Sequence, residues 1–463
     1  MSKEEILKKF NHNKYSYLLL CFNSGISSIT SLAVNYYFKD KLKIEPSFLS
    51  QIMAFMRIPY MLKPLYGFLT DMFPIFGYRR KFYIIFSALL CSLGWLIFSM
   101  IKLNVYQSAL CLFIINVNLS FSTVLSQAIF VELGKLTFNG ELVGNTKDLV
   151  SVYFIVKNVG LILAATLKGI LIEIFSIETV FLINSLNQTI MLIAGIILIE
   201  DKVGTEKNEE DNTEKLITSS SDNKENETKQ ASSLSILFDY IFQAKILIPY
   251  FFVLLFLSTP VYTETMFYYC SNILKLTPNK FGIIQTFQMG ANLAIVFIYK
   301  NFISKNFSFK QTLTLSRILL FLTLLPNYFL VNGFTQKYIN DFYIVLITTS
   351  TNFILTTVAS LPVFNLAAKL SPKNLEGTVY AIFISAISLG QINSTLFGSW
   401  LTKLFNITAN NFENMSKLII ATNIIMLIPL PIMYIIPTFY FEPKDVKKEK
   451  LDNSKEGKEL ESK

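Results

Sequence analysis

Four apolar stretches of this chain carry hydroxyl and amide side chains three or four residues apart. The sets are Ser24, Ser28, Ser31 and Asn35; Asn116, Ser120, Thr123 and Gln127; Gln285, Gln288 and Asn292; and Ser388, Gln391 and Thr395. At helical pitch each set falls along one narrow face. Such groups recognise by directed hydrogen bonds. The hydroxyls among them also suit interhelical packing, whereas Asn and Gln at depth point to a solute-facing surface. Charged residues interrupt the same apolar surroundings: Arg57, Lys63, Lys157, Lys168, Glu264 and Arg317. A Lys or Arg at the centre of a membrane helix costs about 2.5–3.5 kcal/mol, so each needs a compensating role. Arg57 and Lys157 are candidates for holding an anionic group, and Glu264 for carrying a proton. Lys168 lies eleven residues after Lys157 on the same helix face. For Lys63, Lys168 and Arg317 the expectation is structural pairing, or for Arg317 snorkelling to headgroups. Cations outnumber anions in these stretches, and an enclosed cavity of that sign favours an anionic solute.

Other chemistries lack their residues. The single histidine, His12, lies in the polar N-terminal segment, and Cys21, Cys91, Cys111 and Cys270 are far apart in sequence. No CxxC, HExxH or Cys/His cluster occurs. A zinc site, histidine acid–base catalysis and a disulfide framework are therefore not expected, and no cofactor or metal is. A membrane-embedded enzyme and a channel remain rival classes, distinguished by product formation and by flux that does not saturate.

The elements that must position these residues are membrane helices. The chain has 463 residues, 52% hydrophobic and 16% charged, against about a quarter charged in soluble domains. A spanning helix needs about 20 residues. Stretches of that kind fall near 15–37, 48–70, 82–101, 107–131, 149–172 and 177–199, then near 246–269, 281–300, 311–331, 342–364, 377–402 and 417–440. The expectation is an all-α membrane protein, with twelve transmembrane helices in two six-helix lobes, 15–200 and 246–441. Residues 1–14 form an N-terminal tail, 201–245 a polar linker and 442–463 a charged C-terminal tail. No cleavable signal peptide is apparent. An even number of spans puts both termini on one side. Connections on that side hold Arg79, Arg80, Lys81, Lys135, Lys147, Lys300, Lys305, Lys310, Lys369 and Lys373 besides the lysines of linker and tails. This excess makes both termini cytoplasmic. The net charge of +9 is thus a matter of topology, not of nucleic-acid binding. Two six-span halves around a midplane site are the pattern of a secondary transporter. The expected partners are a small solute and the lipid bilayer, the oligomeric state a monomer, and the plasma membrane is favoured over an organelle membrane.

The connection after the second expected span carries a motif. Residues Gly67 to Asp71 read GFLTD, and Gly77 precedes Tyr78, Arg79, Arg80 and Lys81. This is similar to the signature loop of the major facilitator superfamily. In it Gly67 would allow close helix approach, Asp71 would cap or pair at a helix end, Gly77 would permit a tight turn, and the arginines would meet headgroups and carboxylates. The longer block KPLYGFLTD (Lys63–Asp71) through PIFGYRR (Pro74–Arg80) resembles the folate–biopterin transporter family. Further matches are LAVNYYFKD (Leu32–Asp40), Thr259-Pro260 leading to Phe267-Tyr268-Tyr269, and LSPKNLEGT (Leu370–Thr378). The bias toward Lys, Asn, Ile and Phe suggests a protozoan member. The resemblance implies the major facilitator fold and proton-linked uptake of folates, pterins or related heteroaromatic solutes. It implies a gating loop built from Lys63, Pro64, Gly67, Asp71, Gly77, Arg79 and Arg80, and a basic residue at Lys157 for a solute carboxylate. Where the family pattern is acidic, this chain has Thr123 and Gln127, which leaves Glu264 as the candidate proton carrier. Within transport, S-adenosylmethionine or a nucleoside-like metabolite is the alternative solute.

Overall fold

The computed structural model describes residues 3–135, 137–138, 141–142, 146–202, 242–335, 338–370 and 376–441. The expected linker, apart from its ends, and the tail 442–463 lie outside the described residues. The first half comprises α1 (Lys3–Ile26), α2 (Ser31–Tyr36), α3 (Pro46–Met61), α4 (Lys63–Met72), α5 (Lys81–Met100), α6 (Val105–Lys135), α7 (Thr146–Ile174), α8 (Ile177–Asn187) and α9 (Thr189–Ile197). The second comprises α10 (Ala244–Leu257), α11 (Thr263–Asn272), α12 (Pro278–Ile298), α13 (Phe309–Val331), α14 (Asp341–Leu370), α15 (Glu376–Leu404), α16 (Met415–Leu427) and α17 (Pro429–Ile435). A two-residue antiparallel pair, Thr137–Phe138 with Glu141–Leu142, follows α6.

Among the described residues, nine helices are long and apolar enough to cross a membrane. The other three expected spans are helical but less uniform. The second is α3 and α4, broken at Leu62 with Pro64 in the first turn of α4. The seventh is α10 and α11, interrupted at Ser258–Tyr262 around Pro260. The eleventh is α15. The first helix starts at Lys3, well before the expected span, because Asn13 pairs both ways with the backbone of Ile199 at 2.9 Å and Ser16 donates to the Ala194 carbonyl. It passes through a 3₁₀ turn at Ser27–Thr30 and a π turn at Tyr37–Lys41.

The apolar core has three main parts, and their distribution defines the molecule's shape. One cluster, on the side of the molecule away from the termini, mixes both halves. It runs from Leu32–Phe38, Trp95, Phe98 and Phe181 to Met266–Cys270, Phe281, Phe412 and Leu418. Aromatic edges cross between the halves there: Tyr36 meets Phe267 with ring centroids 5.2 Å apart and Phe281 at 6.4 Å. On the termini side the core splits. One cluster holds only first-half residues, such as Tyr17, Leu20, Ile84, Leu125 and Met191. The other holds only second-half residues, such as Phe252, Leu313, Val363, Phe383 and Met433. The two lobes share one core at the far side and have separate cores toward the termini, although α4 still meets α15 and, beside it, Ser385 donates to the Met61 carbonyl at 3.2 Å.

Within the first lobe, α1 and α7 touch backbone to backbone. A Cβ on Gly160 would lie 2.8 Å from the Phe22 carbonyl oxygen and 3.2 Å from the Gly25 Cα, and one on Gly25 would collide with the Lys157 carbonyl oxygen. This contact sets the depth at which α7 presents Lys157. The signature loop is tied down differently. Phe76 (φ 52°) and Gly77 (φ 85°) make a tight hairpin turn between Ile75 and Tyr78, whose backbones exchange two 2.9 Å bonds. The Glu200 carboxylate then accepts the backbone N–H groups of Arg79, Arg80 and Lys81 at 2.9, 3.1 and 3.0 Å, and so occupies the N-terminus of α5. The close approach expected at Gly67 is absent. A Cβ there would meet only Val124 Cγ1, at an ordinary 3.8 Å, because the break at Leu62 lets α4 lie off its neighbour. The Asp71 side chain lies outside the described residues.

Two outcomes follow for the purified protein in detergent. Gly160→Val overpacks a backbone contact and should cost about 3 kcal/mol or more, read as a large fall in Tm with poor recovery of monodisperse protein. Glu200→Ala removes an acceptor shared by three amides and should cost about 2 kcal/mol, read as a Tm fall that Glu200→Asp partly restores. An unchanged Tm in either variant contradicts the contact concerned.

Candidate functional site

The space between the separating lobes is walled by the polar faces. In the first helix, the positions from Asn23 to Phe38 that are not buried are Ser24, Ser28, Ser31 and Asn35, with Ser31 the exposed one. This is the stripe read from the sequence. Helices facing lipid expose other residues, such as Phe86, Leu89, Leu90 and Leu93 on α5. A hydroxyl stripe left open on a helix packed between α6, α7 and α9 therefore borders an internal hollow.

The other stripes are open in part: Ser120 and Thr395 are buried, whereas the glutamines are not. On α12, Gln285, Gln288 and Asn292 are half-buried and lie opposite the lipid-exposed Ile283, Phe287 and Ala294. On α15, Gln391 is exposed on the face opposite Leu396, Trp400 and Leu404. On α6, Gln127 is exposed along the face whose Ser120 donates to the Pro59 carbonyl. Among the described residues, the side chains of Gln127, Gln285, Gln288 and Gln391 have no hydrogen-bond partner, and the Asn292 Oδ1 is buried without one. Their hydrogen-bonding capacity is unspent.

A different set of amides is fully spent. Asn23, Ser27, Asn184, Asn187 and Gln188 form a network inside the first lobe, with Asn187 Nδ2 donating to Asn23 Oδ1 at 3.2 Å and Gln188 Nε2 to Ser27 at 3.2 Å. This network joins α1 to α8. Asn184, Asn187 and Gln188, at the end of α8, are themselves three and four residues apart, and that spacing is the signal that could have exposed them.

The cations gather on the first lobe's inner face. Lys157 is half-buried, and its charge reaches Lys63, whose ammonium lies 5.4 Å from the Tyr60 ring centre. Arg57 points away from the lipid-exposed Phe55 and donates to Thr395 Oγ1 at 3.0 Å, one turn from Gln391. Arg57 thus bridges the lobes. Lys168 is buried and donates to Ser31 at 3.2 Å. Arg317 takes the structural one of its two expected roles. It does not snorkel. Its guanidinium is buried 4.0 Å over the Phe256 ring and bonds the Phe256 carbonyl, since α10 lies between it and any headgroup.

The far side is sealed by a seam. Gly169 of α7 and Gly282 of α12 touch. A Cβ on Gly169 would lie 2.7 Å from the Pro278 carbonyl oxygen and 3.1 Å from the Gly282 Cα. One turn along, the Thr166 and Thr286 hydroxyls are 3.3 Å apart. Further along α12, Gly290 falls on the exposed face with Phe287 and Ala294, and a Cβ on it would meet nothing within 4 Å. Three carboxylates also cross the seam. Glu45 accepts the Ala409 N–H at 2.7 Å, Glu173 accepts the Asn279 N–H at the start of α12 at 3.0 Å, and Glu264 accepts the Ser50 hydroxyl at 3.3 Å. Glu45 and Glu173 are exposed, whereas Glu264 is 6% exposed. Among the described residues, no group of three or more His, Cys, Asp or Glu side chains is placed to hold a metal ion.

Sequence and structure comparisons agree with this architecture. The folate-biopterin transporter of Synechocystis is 28% identical over 440 residues, covering 94% of this chain and 84% of that protein. Folate transporter 1 of Plasmodium falciparum is 29% identical over 433 residues, covering 92% and 79%. Among solved structures, the nucleoside transporter NupG superposes with a TM-score of 0.63 at 12% identity, covering 94% of this chain and all of that one. The inward-open xylose transporter XylE of E. coli gives 0.60 at 14%, covering 93% and 96%. These likenesses establish the major facilitator fold and a multi-pass membrane protein. The model of the BT1 family matches residues 24–455, nearly the whole chain, and this protein belongs to that family.

Proposed function

We propose that the protein is a secondary carrier for a folate, a pterin or a related anionic heteroaromatic solute, working by alternating access. The observation that supports this reading is the set of carboxamides with unspent hydrogen-bonding capacity on α6, α12 and α15, beside cations on α3, α4 and α7, in two lobes that share one core on the side away from the termini. A carrier needs a site that opens to one side at a time, and two lobes meeting along a seam supply that geometry. The folate transport named for the relatives supports the solute class.

Twelve crossings are reached by adding the two broken spans and α15 to the nine long helices, and the Lys/Arg surplus on the termini side supports cytoplasmic termini. The state is then inward-facing. The plasma membrane and a monomer complete the assignment. The pterin ring would lie against aromatic side chains, and the solute carboxylates would meet Lys157 and Arg57. Arg57 is occupied by Thr395 across the lobes in this state, so a carboxylate would compete with an interlobe bond and couple binding to lobe movement. Glu264 is the proton-coupling group. It is the buried member of the three seam carboxylates, and a proton on it would weaken its role as acceptor from Ser50. The signature loop, from Lys63 and Pro64 through Gly67 and Asp71 to Gly77, Arg79 and Arg80, forms the termini-side gate.

Uptake of labelled folate into proteoliposomes, with counterflow and competition by biopterin, S-adenosylmethionine and nucleosides, tests the assignment. Saturable folate uptake with counterflow upholds it, and competition by nucleosides alone would replace the solute. Lys157→Ala removes a charge-assisted bond of about 1.5–3 kcal/mol, so folate uptake should fall by about tenfold or more while that of uncharged biopterin holds. Equal loss of both removes the carboxylate assignment. Glu264→Gln keeps shape and hydrogen bonding but cannot carry the proton. Uptake by that variant should no longer respond to an imposed pH gradient, and an unchanged response rejects Glu264.

A further inference from the structure

We propose that Lys168, beside Ser31, is an anion-binding group at the closed end of the hollow, taking a carboxylate of the solute. The assignment rests on the carrier reading above and names a second anion station within it.

Lys157 and Lys168 share one face of α7. That face is opposite the lipid-exposed Ile155, Val159, Leu163 and Leu167, so both lysines point into the bundle. Eleven residues at 1.5 Å each set their backbones about 16 Å apart along the axis. Lys157 therefore stands at mid-depth and Lys168 at the seam. Lys168 is 4% exposed, and its ammonium donates to Ser31 Oγ at 3.2 Å. Among the described residues it has no carboxylate partner. An ammonium has three donors, and a buried one without counter-charge is costly to keep. The bland role for such a lysine, an ion pair that knits helices, is not what this one performs.

The hydroxyl it reaches is the informative part. Ser31 is the exposed residue of the first helix's open stripe, flanked by half-buried Ser28 and Asn35. The cation thus stands directly behind the wall of the hollow, bonded to the one group there that is open to a solute. Gly169, the next residue, lies against Gly282 of the other lobe. The station is held by the contact that seals the far side. An anion arriving at Ser31 completes the ammonium's shell and neutralises a charge that the closed seam otherwise leaves uncompensated. Solutes with a carboxylate are selected over uncharged ones at this depth, in addition to the selection at Lys157.

The test uses the purified full chain in detergent with Lys168→Met and Lys168→Arg, and folate, biopterin and glutarate as probes. Without probe, Lys168→Met should match or exceed the wild-type Tm, because an uncompensated charge has been replaced by an apolar side chain of similar length. Its folate affinity should fall by tenfold or more, its biopterin affinity should stay within threefold, and Lys168→Arg should retain folate binding. A lowered probe-free Tm together with undiminished folate affinity would show a merely structural lysine and overturn the proposal. Should the wild type bind neither folate nor biopterin, the folate–pterin reading fails. The anion station is then judged by glutarate: a Tm rise that Lys168→Met lacks upholds it, and equal response of the two proteins overturns it.

Discussion

The seam in which Gly169 meets Gly282 is the contact on which the rest of the architecture depends. With no side chain on either residue, α7 and α12 approach backbone to backbone at one end. One turn along, the Thr166 and Thr286 hydroxyls, 3.3 Å apart, continue the contact. The close contact between Gly25 and Gly160 does a complementary job inside the first lobe, where it fixes the register between the hydroxyl stripe of the first helix and the lysines of α7.

Lipid imposes the second constraint. A bilayer offers no hydrogen bonds, so hydrophilic side chains in apolar helices must either satisfy one another or face water. This protein does both, in separate places. Asn23, Ser27, Asn184, Asn187 and Gln188 satisfy one another and stiffen the first lobe. Gln127, Gln285, Gln288 and Gln391 have no such partners among the described residues and keep their hydrogen-bonding capacity unspent. The distinction separates architecture from recognition better than residue type does, since both sets are carboxamides.

The charges follow the same division by position. Carboxylates lie at the sealed end and take hydrogen bonds across the lobes, from a backbone amide at Glu45 and Glu173 and from a hydroxyl at Glu264. Cations lie along the hollow, at Arg57, Lys63, Lys157 and Lys168. Acidic acceptors at the closure and basic donors along the path give the interior a polarity suited to an anionic solute. Arg317 stands outside this arrangement, stacked on Phe256 within the second lobe.

Much of this was legible before any coordinates. Apolar run lengths located most helices to within a few residues, because a bilayer's thickness sets a minimum that composition must meet, though the first helix begins twelve residues early, at Lys3. Three-and-four spacing identified Ser24, Ser28, Ser31 and Asn35 as one face, because helical pitch is a local property of the backbone. The block from Lys63 to Arg80 carried the family. Tertiary structure alone decided the remainder. Gly67 looked like a close-contact residue, yet Gly25, Gly169 and Gly282 are among those that touch a neighbouring backbone, since which glycine does so depends on how helices distant in sequence cross. Arg317 could pair or snorkel by its sequence position, and the fold, with α10 over it, selected pairing. Lys157 and Lys168 share one face in the sequence, and only the fold set Lys157 near Lys63 and Lys168 beside Ser31. Helix and hydropathy are written in neighbours along the chain, whereas the hollow, its seam and its charge pattern arise from residues that the chain brings together from far apart.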